Sequence, residues 1–189
     1  MRVLLTTTSS AGHSGPLIPF AEAIRAAGDD VIVATRESSA DRVRAAGYEV
    51  WPLADAPAEQ RAAVFASIRE LPSHEANVRA ATEVFAGIDV RAALPGMLDV
   101  CAAWRPHVVL AEAAEFAGSL AGAHLGVPDA IAGISLASTE HGVSDVIERA
   151  LAEVREEHGL DAGAAPTAHF TLAPPLLEDL AAPGPERLG

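Results

Sequence analysis

A histidine framed by glycines stands where an apolar run gives way to a helical pattern: Gly12-His13-Ser14-Gly15-Pro16 follows "RVLLTT". Pro16 suits a first helical position, so the imidazole lies near a helix N-terminus, facing free N–H groups and the positive end of the dipole. That setting disfavours a second proton. His13 is therefore expected to be neutral near pH 7, the form a general base needs. A base also needs an orienting group on its other ring nitrogen, typically a carboxylate. Glu112 and Glu115 follow a later strand pattern, on the same sheet edge if the strands run parallel, and spacing favours neither. A histidine in a glycine turn also serves plain loop hydrogen bonding, and Ser9, Ser10 and Ser14 are of the types that cap turns and helices.

The loop fits neither G-x-G-x-x-G nor G-x-x-x-x-G-K-[ST], and the absence of lysine rules out the second outright. All 13 basic residues are arginine, against 26 acidic ones, and the net charge of −13 would repel a polyphosphate. Nucleic acid and anionic membrane are not expected partners, and the acidity is spread along the chain like a solvated surface. No apolar run is long enough to span a bilayer, and Met1-Arg2 leads directly into a strand pattern, so a cytoplasmic location is expected. Cys101 is the lone cysteine. It reads as a core residue, and no Cys-x-x-Cys or histidine-rich spacing suggests a metal site.

The elements that must position these groups alternate. Arg2 to Thr7 reads as a buried strand, the stretch from Pro16 through Ile18, Phe20, Ala21, Ile24 and Ala27 as a helix stopped by Gly28, and Asp30 to Thr35 as a second strand. Ser38 to Ala46 is a helix closed by Gly47, and Tyr48 to Leu53 a third strand. Pro57 to Trp104 is helical but irregular, with expected breaks at Pro72, Gly87 and Pro95; so long an insertion suits a wall or lid over a site. Further strands are expected at His107 to Glu112 and Pro128 to Ser135, helices at Phe116 to Leu125 and Val143 to Glu157, and an extended piece near His169 to Leu172. The fold class is α/β, a Rossmann-like doubly wound parallel sheet with flanking helices. Ligands of such sheets bind beyond the carboxyl ends of the strands.

Two segments resemble a known family. "TTTSSAGHSGPLIPFAEAIRAAGDDVIVAT" is similar to the opening of inverting, UDP-glucosyltransferase-like glycosyltransferases of the GT-B fold, especially actinobacterial antibiotic glycosyltransferases: G-H-x-x-P-x-x-x-[LF]-A-x-A-[LI]-x-x-x-G, then a strand ending in A-T. "RPHVVLAEAAEFAGSLAGAHLGVP" is similar to their R-P-D-[LV]-V-[LV]-x-[DE]-x-x-x-x-[AG]-x-x-A-A-x-x-L-G-[IV]-P. The resemblance implies that His13 takes the proton from an acceptor hydroxyl attacking the anomeric carbon of a nucleotide sugar. It places the orienting acid at Glu112, one methylene longer than the more usual aspartate. It puts acceptor contacts at Ser10, Gly12, Phe65, Phe85 and Glu115, with Val84, Ile88 and Met97 as further candidates for an apolar wall.

The resemblance also implies what lies beyond the chain. Residues 1–180 are expected to form the acceptor-binding half of a GT-B fold and 181–189 to begin a linker or tail. The donor, a UDP- or TDP-sugar, would be held by a C-terminal domain or companion chain that this sequence does not contain, so no cofactor is expected in the chain itself. An uncovered interdomain face would favour a homodimer. The other readings are a non-catalytic small-molecule-binding or scaffold domain derived from the same fold, and a different Rossmann-like enzyme, against which the missing glycine fingerprint counts.

Overall fold

The computed structural model describes residues 1–136, 143–161 and 166–174. Residues 181–189 and the end of the loop after the fifth strand pattern lie outside them. Six strands form one parallel sheet: β1 (Arg2–Thr6), β2 (Asp30–Arg36), β3 (Glu49–Leu53), β4 (Val108–Glu112), β5 (Asp129–Ala132) and β6 (Ala168–Phe170). Their spatial order is β3-β2-β1-β4-β5-β6. The chain builds outward from β1 to β3, then returns to the other side of β1 with β4. The switch point between β1 and β4 is where loops part and leave a crevice. The doubly wound parallel sheet expected from the alternating pattern is present.

The helices are α1 (Ala11–Ser14), α2 (Ile18–Ala26), α3 (Glu37–Ala45), α4 (Ala58–Ile68), α5 (Ser73–Arg79), α6 (Val90–Trp104), α7 (Phe116–Leu125) and α8 (Ser144–His158). A 3-10 turn (Gly15–Leu17) joins α1 to α2, and a π-helical segment (Ala80–Asp89) joins α5 to α6. Alternate residues of the strands feed two cores. Val3, Leu5 and Val33 pack with Leu17, Ala21 and Val43 beneath α2 and α3. Leu4, Ile32, Ala34 and Val109 pack with Leu94, Met97, Ala117, Leu120 and Val154 beneath α6, α7 and α8. The strands are consequently apolar on both faces, as a buried parallel sheet requires.

Two expectations about the helices need correction. The first helix begins at Ala11, not Pro16, so His13 sits inside the opening turn; Pro16 and Pro19 are accommodated in the first turns of the pieces that follow, where their missing N–H groups have no partner to lose. In the long helical region Pro72 does precede a new helix, but Gly87 and Pro95 interrupt nothing. Pro95 lies on the exposed face of α6, while Val90, Ala93, Leu94, Met97 and Val100 bury the opposite face against the sheet.

Candidate active site at the β1/β4 crevice

The register of the sheet brings the two candidate groups together. Thr6 of β1 lies opposite Ala111 of β4, so Glu112, the last residue of β4, stands beside the start of the loop that carries His13. His13 Nδ1 lies 2.9 Å from Glu112 Oε1. A carboxylate accepts only, so Nδ1–H donates and neutral His13 presents the lone pair of Nε2. Glu112 is fully buried and is fixed from three directions, with the Thr8 N–H 3.3 Å from Oε1 and the Ala114 N–H 2.8 Å from Oε2. His13 keeps 20 % of its side chain exposed, so the imidazole bridges the interior and the crevice.

The pKa of His13 is raised above the usual value of 6.5, the opposite direction from the one expected of a helix N-terminus. Burial is the largest influence and pushes it down, but the Glu112 hydrogen bond and charge outweigh it, helped by Asp89 and opposed by Arg61. α1 is a single turn, whereas the carboxylate is in direct contact, so the carboxylate dominates the surroundings of the imidazole.

Glu115 has a different place from the one expected. It is 1 % exposed and caps α7, its Oε2 accepting from the Gly118 N–H at 2.9 Å and its Oε1 from the Ala117 N–H at 3.3 Å. Burial raises its pKa, against the pull of Arg36 at 3.7 Å. It cannot meet an acceptor from there. Val84 and Met97 are completely buried and belong to the interior, not to an apolar wall. Ser10 and Gly12 are exposed on the turn. Ser10 occupies the N-cap position of α1 without a side-chain cap bond, and its carbonyl accepts from the N–H groups of His13 and Ser14.

Of the two aromatic candidates, Phe85 falls against the dyad. The Phe85 ring lies 5.5 Å from the imidazole, tilted by 39°. Phe65 is 42 % exposed, with the Arg61 guanidinium 5.7 Å over its ring. Arg61 in turn is paired with Asp89, whose carbonyl accepts from Arg36 Nη2 at 3.1 Å. Sequence reasoning missed Arg36, Arg61 and Asp89. The available signal was Asp89 itself, a carboxylate between Ile88 and Val90 in the apolar stretch Val84–Val90. A cleft of about 1020 Å³ opens beside this site between α4, the π-helical segment and α8, with Gln60, Val64, Ile88 and Val146 among its walls. His13 does not line that cleft; the two share helices, not side chains. Among the described residues no group of three or more His, Cys, Asp or Glu side chains is placed to hold a metal ion, and no helix is long and apolar enough to cross a membrane.

The profile of the erythromycin biosynthesis protein CIII-like N-terminal domain matches residues 22–165. The chain belongs to this family. Its matched span contains Glu112, Phe65 and Phe85 but begins after His13. The chain is 35 % identical over 135 residues to an L-demethylnoviosyl transferase of Streptomyces niveus, covering 68 % of this chain and 33 % of that protein. It is 31 % identical over 163 residues to the elloramycin glycosyltransferase ElmGT of Streptomyces olivaceus, covering 81 % and 41 %. Among solved structures, the Streptomyces sp. SF2575 glycosyltransferase SsfS6 superposes with a TM-score of 0.77 at 26 % identity, over 95 % of this chain and 52 % of that one. SsfS6 has also been solved with thymidine diphosphate. The chain thus has the fold of the N-terminal half of a GT-B glycosyltransferase, and it spans between a third and about half the length of these relatives.

Proposed function

We propose that this CIII-like domain is the acceptor-binding half of an inverting glycosyltransferase, acting on a hydroxyl of a small, largely apolar natural product. The observation that carries this reading is the 2.9 Å contact between His13 Nδ1 and Glu112 Oε1 at the switch-point crevice. It leaves Nε2 directed away from the carboxylate as the base. The acceptor O–H gives its proton to Nε2 while its oxygen forms a bond to the anomeric carbon. The bond from that carbon to the diphosphate breaks on the opposite face, and the nucleoside diphosphate departs with the electron pair. Glu112 holds the ring and stabilises the imidazolium that forms. Phe85 and Phe65 offer apolar surface to the acceptor, and Ser10 and Gly12 border the same turn. The donor is a UDP- or TDP-sugar held by a C-terminal half; the nucleotide bound by SsfS6 favours TDP. Residues 1–180 constitute the acceptor domain in this reading. Its interdomain face also offers a surface for self-association, which sedimentation of the chain would read directly.

The test supplies a donor-binding half, in one chain or in trans, and compares wild type with His13→Ala. Loss of a general base costs about 10²–10⁴-fold in turnover, and acceptor binding should persist. Unchanged turnover in His13→Ala would remove the base from His13. Tight nucleotide-sugar binding by this chain alone would count against the half-enzyme reading and for a self-sufficient site.

A further inference from the structure

The helix from Ser73 to Trp104 runs without a break, yet its middle, Ala80–Asp89, is wound as a π-helix. Wide turns of this kind are rare, and they concentrate at functional sites. The helix is anchored within the segment and beyond it. Beyond the segment, Val90, Ala93, Leu94 and Met97 are locked into the core; within it, Val84 and Ala86 are buried. The two residues that the wide winding presents to the site are Phe85, whose ring lies 5.5 Å from the His13 imidazole, and Asp89, which pairs with Arg61.

At Gly87 the winding leaves no room for a side chain. In a π turn each N–H points to the carbonyl five residues back, which for Gly87 is Thr82. A Cβ at position 87 would lie 2.8 Å from that carbonyl oxygen, a backbone atom that cannot swing aside. Gly96, on α6 of the same helix, is unlike it: a Cβ there would meet the Leu53 Cδ2 at 3.1 Å, the end of a flexible side chain.

We infer that Gly87 is a positioning residue for the reaction: by allowing the π winding of Ala80–Asp89, it sets Phe85 against the His13 imidazole and Asp89 on Arg61. The inference concerns how His13 is held, and its importance for turnover rests on the reading of His13 as the base. The expected signature is spectroscopic. In Gly87→Ala, the His13 ring protons should lose the ring-current shift imposed by Phe85 and move to the positions that they take in Phe85→Leu. The imidazole titration should move with them, because Asp89 and Arg61 are displaced together. Gly96→Ala should leave the His13 signals in place even where it lowers the melting temperature.

A folded Gly87→Ala protein with wild-type His13 shifts and titration would overturn the inference. Should that variant not fold, the wild-type chain still decides. A Gly87 amide coupled across its hydrogen bond to the Thr82 carbonyl, with Phe85-to-His13 ring contacts, upholds the inference; coupling to the Glu83 carbonyl overturns it. Full turnover in His13→Ala would defeat the base assignment but leave these spectra unaffected, so the two ideas fail separately.

Discussion

The carboxylate of Glu112 sets both what His13 can do and when it can do it. It fixes the tautomer that exposes Nε2, and it raises the imidazole pKa against the effect of burial. Replacement by glutamine removes the negative charge and weakens the hydrogen bond, leaving burial and Arg61 to lower the value against the charge of Asp89 alone. Glu112→Gln should therefore titrate His13 at a lower pH than wild type in an NMR-monitored titration. In the complete enzyme, turnover should rise with pH as His13 deprotonates, and that limb should shift to lower pH in Glu112→Gln with a reduced plateau. An unshifted limb would mean that another group carries the titration. The stability consequence has the opposite sense. A raised folded-state pKa contributes stability that is fully present below the unfolded value of about 6.5, and that contribution is lost as the pH rises through the folded value.

Close packing of β1 against α7 is the feature of the elements that the site depends on most. Gly118, on the first turn of α7, has no room for a side chain: a Cβ there would lie 2.5 Å from Thr6 Oγ1 and 3.1 Å from Glu115 Oε2. Overpacking of this kind costs about 1–3 kcal/mol. Gly118→Ala should lower the denaturation midpoint accordingly, and it should do so by disturbing the Glu115 cap, since the Gly118 N–H is the cap's shorter bond. An unaltered midpoint would show that the Thr6 side chain can rotate away freely. Element types were legible from the apolar patterns and punctuating glycines: Gly28 and Gly47 do adopt positive φ at the ends of their helices. Boundaries near prolines were not. Pro16 and Pro95 each suggested an edge, but Pro16 falls in a first turn, where its N–H has no partner to lose, and Pro95 sits on the exposed face of α6, whose other face is held in the core.

The molecule as a whole is a sheet packed on both faces, and Cys101 reports on one of its cores. Its thiol is buried beneath α6, and burial, with the charge of Glu115, pushes its pKa up to about 12. It should resist alkylation at pH 8 in the folded chain and react at the rate of global opening when denaturant is added. Rapid labelling of native protein would mean that α6 opens locally.

The amino-acid sequence alone determined the alternation of strands and helices, hence the doubly wound parallel sheet, and it singled out His13 with Glu112 or Glu115 as its partner, because apolar periodicity and the Gly-His turn are local properties of the chain. Which acid reaches the histidine was decided only by the tertiary structure. Glu112 and Glu115 are three residues apart in one loop. One ends a strand and meets His13, and the other turns inward to cap α7. The same holds for Arg61, Asp89 and the π winding that presents Phe85. Each depends on register and packing between segments distant in sequence, and neither residue type nor spacing along the chain carries that information.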